Sequence, residues 1–257
     1  MAAHLFDLTG KTAAVIGGTS GIGRVLALGL ADAGADVIAT GRRDALVDEV
    51  AAEVERRGRR TLRVATDVGD EAALGRFRDA IVDAFGRVDI VLTAAGITRR
   101  APTLDMPSAE WQNIIDVNLM GTFRAFKAFA PAMIGRRSGR LIGIGSLTSF
   151  VGMHEVSAYT TSKAGVAGLT RALAVEWAPY NVTVNAIAPG VFRTDLNAKL
   201  LDGPRGQELL LRTPMKRFGR LDELVGAAVY LASDASTFVT GQLLVVDGGF
   251  LASGVNQ

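Results

Sequence analysis

The chain has 257 residues, 49% of them hydrophobic and 21% charged, with a formal net charge of +2. It holds no cysteine and only two histidines, which excludes disulfides, thiolate metal sites and thiol nucleophiles and leaves no histidine cluster for a metal. The arginines are scattered rather than clustered, so the slight basic excess does not form the stripe that nucleic acid requires.

Residues 1–10 carry no basic segment followed by an apolar run, and later apolar stretches break well short of the ~18–20 residues of a membrane span. The expectation is a cytoplasmic enzyme with no membrane or nucleic-acid partner. Along the chain, short β-branched runs alternate with longer helix-period segments, the pattern of βαβ units. Residues 12–17 are an apolar run ending in glycine, and 21–33 read as a helix closed by Gly34. Residues 36–40 are a strand, 44–57 a helix stopped at Gly58, 61–66 a third strand, 71–85 a helix and 89–93 a strand. After an irregular stretch around Pro102 and Pro107, one long helix is expected over 109–134. A strand at 140–144, a long helix at 157–178 and a strand at 182–187 follow. Residues 196–211 look polar and irregular, 222–232 helical, and 243–246 form the last strand. The expected fold is α/β: one Rossmann-type domain over residues 1–257, a doubly wound parallel sheet of seven strands with helices on both faces.

Gly17, Gly18, Thr19, Ser20, Gly21, Ile22 and Gly23 link the first strand to the first helix. A tight turn there lets the backbone approach a diphosphate and turns helix N-terminal amides towards its charge. The nucleotide type is read at the end of the second strand, where an acidic residue would bind ribose hydroxyls and select NAD. Here stand Thr40, Gly41, Arg42 and Arg43, and guanidinium groups match a 2′-phosphate in charge and planar geometry. NADP(H) is therefore the expected cofactor, with NAD the alternative if Arg42 and Arg43 merely open the next helix on the surface.

Tyr159 and Lys163 are four residues apart in a helical segment and share a face. An ammonium beside a phenol favours the phenolate and lowers its pKa, which suits a general acid/base exchanging a proton with an alcohol or ketone. An amphipathic surface pair is the plainer alternative. Ser146 follows the strand 140–144, at the carboxyl end where ligands bind in open α/β sheets, and its hydroxyl suits polarising a carbonyl. Asn118 lies mid-helix, where propensity disfavours it, so a buried amide must find partners; ordered water leading towards Lys163 is one candidate and a helix kink the other.

Taken together, Gly17, Gly21, Ile22 and Gly23, Asp67 and Val68, Asn118, Ser146, Tyr159 and Lys163, and Pro189, Gly190 and Thr194 resemble the short-chain dehydrogenase/reductase superfamily across essentially the whole chain. The resemblance implies that Tyr159 is the acid/base and that Lys163 lowers its pKa and holds the nicotinamide ribose. It further implies that Ser146 fixes the carbonyl and Asn118 anchors a proton-relay water. Asp67 and Val68 would contact adenine, Ala95 and Gly96 would line the cofactor groove, and Pro189, Gly190 and Thr194 would border the nicotinamide. A homotetramer packed through the two long helices is also implied. There are two departures from the family pattern: Ile16 stands where threonine is usual, and Thr93-Ala94-Ala95-Gly96 replaces Asn-Asn-Ala-Gly.

Selectivity is expected from residues 97–102, 147–156 and 196–214, with Arg99, Arg100, His154 and Arg193 as the polar groups to weigh. An arginine at the substrate mouth suits a carboxylate, and Arg100 is the favoured one, although Arg99 is adjacent and either can be an ordinary solvated charge. Residues 95–102, 189–194 and the tail after Asp247 are similar to gluconate 5-dehydrogenase and 2-deoxygluconate 3-dehydrogenase-like members, which implies a small keto or hydroxy sugar acid as substrate. The alternatives are a 3-oxoacyl thioester reductase and a non-catalytic NADP-binding sensor.

Overall fold

The computed structural model describes residues 2–194 and 197–254. Its centre is a parallel sheet of β1 (Thr12–Ile16), β2 (Asp36–Thr40), β3 (Ile90–Thr93), β4 (Gly139–Ile144), β5 (Val182–Pro189) and β6 (Leu243–Val246). The strand order is β2-β1-β3-β4-β5-β6. The helices are α1 (Gly21–Asp32), α2 (Asp44–Arg56), α3 (Glu71–Phe85), α4 (Ser108–Ile115), α5 (Gly121–Gly135), α6 (Ser157–Trp177), α7 (Ala198–Leu201), α8 (Pro204–Arg212) and α9 (Val225–Ala232). None of the helices among the described residues is long and apolar enough to cross a membrane.

Alternation along the strands divides the core in two. Ala13 and Val15 of β1 face a layer that includes Leu26 and Leu30 of α1, Val50 and Val54 of α2 and Leu231 of α9. Ala14 and Ile16 face Phe77 and Ile81 of α3, Phe126 and Phe129 of α5 and Leu173 of α6. A sheet covered on both faces needs strands apolar throughout, and β1, β3 and β5 are buried at every position. Because β1 pairs with β2 on one side and β3 on the other, the strand order reverses beside β1. The carboxyl ends of β1, β3 and β4 therefore border the crevice where doubly wound folds bind ligands.

The sheet has six strands, not the expected seven. Residues 61–66 run beside β2, but the backbone bonds sit at the two ends, from Val37 N–H to the Arg60 carbonyl at 3.2 Å and from Thr66 N–H to the Gly41 carbonyl at 2.9 Å. Between them, the Val64 carbonyl accepts the Thr40 hydroxyl at 2.6 Å. A side chain thus takes a place that a ladder bond would fill, and the strand is not completed.

Two more expectations need correction. The helix expected over 109–134 is interrupted by a π turn at Asp116–Met120, between α4 and α5. Within the irregular stretch expected at 196–211, α7 and α8 form two short helices, while Leu196 itself lies outside the described residues. Pro204 at the first position of α8, after Gly203, is the start signal that the polar composition masked. At the departures from the family pattern, Ile16 is buried in register with Thr93, and its carbonyl accepts the Ala94 amide at 2.7 Å and the Ala95 amide at 3.2 Å. The β1–β3 junction is therefore closed by backbone, and the buried Thr93 hydroxyl has no partner among the described residues.

Candidate active site

Glycine at 17 answers two demands at once. Its φ is +78°, and a Cβ there would drive into the backbone of Ala95 after β3. Gly23, one turn into α1, leaves no room for a Cβ against the Gly17 carbonyl, so helix and turn pack backbone to backbone. Gly21 faces open space, and no side chain caps α1 at Ser20, so the first amides of the helix are left to the crevice. A Cβ added at Gly41 would strike the Thr19 hydroxyl, which sets Thr19 against the end of β2. Just beyond, Arg42 and Arg43 are exposed, and neither guanidinium has an ion-pair or hydrogen-bond partner among the described residues. An uncapped helix N-terminus under a glycine cradle, next to two unpaired guanidiniums, fits a dinucleotide carrying an extra phosphate.

Asp67 and Val68, which the resemblance assigns to adenine, lie close to the end of β2. Thr66 is tied to Gly41, so the exposed Asp67 and the buried Val68 stand beside the end of β2, with Val68 packed over Gly121. Asp67 turns its carboxylate back onto the Gly69 amide at 2.8 Å. Opposite, Pro189 ends β5, and the Gly190 amide donates to the Val246 carbonyl at 2.8 Å. The Thr194 amide is held by Asn197 Oδ1 at 2.8 Å.

Four polar side chains converge at the ends of β3, β4 and α6. Lys163 is buried, and its Nζ donates to the Ile144 carbonyl at 2.8 Å and lies 5.6 Å from the centre of the Tyr159 ring. Asn118 is fully buried in the π turn; its Oδ1 accepts the Ile97 amide at 2.8 Å, and its Nδ2 donates to the Ile97 carbonyl and to Ser162 Oγ, each at 3.0 Å. A Cβ on Gly96 would lie 3.4 Å from Asn118 Oδ1 and 3.8 Å from Lys163 Nζ, so the chain leaving β3 crosses directly over both. Ser146 opens a 3-10 turn (Leu147–Ser149), its Oγ accepting the Thr148 amide at 3.2 Å. Ser149 fastens this turn to the helix, its hydroxyl accepting the Ser146 amide at 3.2 Å and donating to the Lys163 carbonyl at 2.8 Å.

Electrostatics here differ from the sequence expectation. Burial pushes the Tyr159 phenol above its ordinary value, and the Ser146 hydroxyl offsets only part of that rise. The Lys163 ammonium does not depress it; burial lowers the lysine itself to about 8. Its Nζ is aimed at Ile144 and the face of the ring, not at the phenolic oxygen. Asn118 finds its protein partners in the Ile97 backbone and Ser162, and it stands in the π turn that interrupts the helix.

The expected substrate groups separate. Arg193 is closed into a bidentate pair with Asp202 at 2.7 and 2.9 Å, and Arg99 is paired with Glu110. Arg100 donates its Nε to Glu155 at 2.5 Å, and His154 is exposed with Nδ1 3.6 Å from the same carboxylate. Sequence reading missed Ser149, Ser162 and Glu155. Ser162 alone left a signal, three residues after Tyr159 on the helix face that also bears Lys163.

Comparison with known proteins agrees with this geometry over the full length. A family model described as enoyl-(acyl carrier protein) reductase matches residues 16–251. The 2-dehydro-3-deoxy-D-gluconate 5-dehydrogenase of Bacillus subtilis (strain 168) is 41% identical over 251 residues, covering 96% of this chain and 97% of that protein. The gluconate 5-dehydrogenase of Gluconobacter oxydans (strain 621H) is 38% identical over 250 residues, covering 97% and 98%. The crystal structure of a gluconate 5-dehydrogenase from Burkholderia cenocepacia J2315 in complex with NADP and tartrate superposes with a TM-score of 0.95 at 37% identity, covering 99% of this chain and 100% of that one. With the glycine turn at the strand reversal and the Ser146, Tyr159 and Lys163 side chains gathered beside it, the chain belongs to the short-chain dehydrogenase/reductase superfamily.

Proposed function

We propose that this protein is an NADP(H)-dependent oxidoreductase that interconverts a ketone and a secondary alcohol on a keto or hydroxy sugar acid. The observation that carries the reading is the convergence of Ser146, Tyr159 and Lys163 at the carboxyl ends of β4 and α6's first turns, next to a glycine cradle flanked by unpaired Arg42 and Arg43. The full-length relatives named above are sugar-acid dehydrogenases, and one of them was solved with NADP.

Held along residues 17–23, with Arg42 and Arg43 on its 2′-phosphate, NADP(H) would supply the hydride. In the reducing direction Tyr159 gives its proton to the substrate oxygen. Its raised pKa keeps that proton in place at neutral pH until the oxygen becomes basic. Ser146 Oγ already accepts the Thr148 amide, which leaves its own proton for the same oxygen. Lys163 donates one N–H to Ile144 and keeps two, which suit a ribose hydroxyl of the cofactor. Asn118 acts as the fastener of this group, fixing Ile97 above the helix. Arg100 takes the sugar-acid carboxylate, since Arg99 and Arg193 engage Glu110 and Asp202 through terminal nitrogens whereas Arg100 is paired with Glu155 only through Nε.

We extend the reading to a homotetramer packed through α5 and α6, supported by Val175, which stands 79% exposed on α6. A cytoplasmic setting follows from dependence on a diffusible NADP(H) pool. The test is a turnover panel of sugar acids, uncharged polyols and 3-oxoacyl thioesters, run with both NADPH or NADP and NADH or NAD. Turnover of sugar acids with the phosphorylated cofactor is expected. Preference for thioesters, or cofactor binding with no turnover of any substrate, would overturn the proposal.

A further inference from the structure

Glu155 is placed where a non-glycine residue rarely sits. Its φ is +63°, in the left-handed region, two residues before α6 begins and four before Tyr159. A side chain held in that conformation needs surroundings that over-determine it. Here they are two bonds to one segment. The Glu155 carbonyl accepts the Ala101 amide at 3.0 Å, and its carboxylate takes Arg100 Nε at 2.5 Å. A third tie follows, between the hydroxyls of Thr103 and Ser157 at 3.2 Å. The chain leaving β3 therefore passes over Asn118 and Lys163 at Gly96 and is pinned to the start of α6 at residues 100–103.

The choice of nitrogen matters. A guanidinium offers two edges for a carboxylate, one through Nε and one through the pair of terminal amino groups. Glu155 occupies the Nε side, and among the described residues Arg100 has no other partner. We infer that Glu155 is a positioning residue that holds Arg100 by its Nε edge and leaves the terminal pair free for bidentate capture of a substrate carboxylate at the mouth of the site. This rests on the proposed action on sugar acids. It adds that selectivity for a charged substrate is set by an acid of the protein, not by the arginine alone.

The experiment compares D-gluconate with sorbitol, an uncharged polyol of the same length, in the full-length enzyme with NADP. The variants are Glu155→Gln, Glu155→Gly, Arg100→Ala and the double variant Glu155→Gln with Arg100→Ala. Glu155→Gln should raise KM for gluconate roughly tenfold, as expected for loosening one charged hydrogen bond, with kcat and the sorbitol constants unchanged. In the Arg100→Ala background the same substitution should have no further effect, since the two act as a unit. Glu155→Gly relieves the backbone but removes the carboxylate, and should behave like Glu155→Gln. A lower KM for gluconate in Glu155→Gln would make Glu155 a competitor of the substrate and overturn the inference. Wild-type constants in Glu155→Gly, or equal losses on both substrates in Glu155→Gln, would reduce it to a backbone role and do the same. If the native enzyme favours gluconate and Glu155→Gln leaves its KM unchanged, this inference fails while the proposed function stands. If the native enzyme shows no preference for gluconate over sorbitol, both fail.

Discussion

Lys163 and Arg100 are both cations at the carboxyl end of the same sheet, yet they are held by different means. Lys163 is 5% exposed, bonded to a strand carbonyl and fastened through Ser149 to the Ser146 turn. Arg100 keeps 46% of its side chain in solvent and is held by a carboxylate from another loop. The contrast extends to their neighbours. Asn118 and Ser162 are wholly buried, whereas Arg99, Arg193 and His154 stand in the open. The floor of the site is fixed by interior hydrogen bonds whose loss would leave buried groups unpaired, and its rim by exposed ion pairs of little weight for the fold. A reaction can thus stay constant while the rim is exchanged for another substrate.

The largest break in that comparison should come from the floor. Tyr159→Phe removes the proton donor and little else, so turnover should fall by ~10²–10⁴-fold while NADPH still binds, as read by cofactor fluorescence titration. Near-normal turnover would remove Tyr159 from the chemistry.

Lys163 gives the next effect, with a definite sign. Burial lowers it from 10.5 to about 8, so below pH 8 it is charged both folded and unfolded, and the fold bears a desolvation penalty on the order of 3 kcal/mol. Between pH 8 and 10.5 the folded state gives up its proton first, and the penalty fades. Lys163→Met removes that penalty but leaves the Ile144 carbonyl unpaired, so the checkable effect is the trend: its stability relative to the native protein should fall as pH rises across that window in denaturant titrations. A difference that stays constant with pH would mean that the ammonium is not desolvated.

Asn118→Ala strips three hydrogen bonds and leaves the Ile97 amide and carbonyl without them, at a cost of about 2–4 kcal/mol in unfolding free energy. Arg42→Asp should shift preference from NADP to NAD by roughly ten- to a hundredfold in kcat/KM, the worth of a charged hydrogen bond, with sugar-acid KM unchanged. The smallest effect is expected at the rim: Arg193→Ala opens an exposed pair with Asp202 and should leave the melting temperature where it was. A clear drop would mean that the rim is structural after all.

What could be read from the sequence was what local spacing encodes. Short β-branched, apolar runs identify β1 and β5, and the glycines after β1 mark the turn, where the φ of Gly17 and its close approach to Ala95 demand glycine. Helical spacing puts Tyr159 and Lys163 on one face, but that spacing also fits a surface pair, and it takes Ser146 and Asn118 beside them to single the pair out. Residues 61–66 have a strand's composition, but whether a ladder closes depends on the Thr40 hydroxyl competing for Val64, which composition cannot express. The partners of Asn118, Arg100 and Lys163 lie 21, 55 and 19 residues away, and their pairing exists only once the sheet has formed. The same holds for the pKa of Tyr159: spacing promised a nearby charge, and depth of burial decided the sign.

The π turn at Asp116–Met120 has a consequence for how this chain can change by insertion and deletion. One residue more than an α-helical turn displaces whatever follows by about 100° around the axis and 1.5 Å along it. α4 and α5 are thus two helices out of phase, joined without a loop, and the offset lets α5 seat Phe126, Phe129 and Met133 on the sheet while Asn118 turns towards Ile97. Loss of a single codon within 116–120 would restore regular helix. Because α5 is anchored by its aromatic face, the rotation would fall on α4 and carry Glu110 away from its partner Arg99. The frame of this helix therefore couples one residue of chain length to the shape of the substrate entrance, a route to new selectivity that point substitution does not offer.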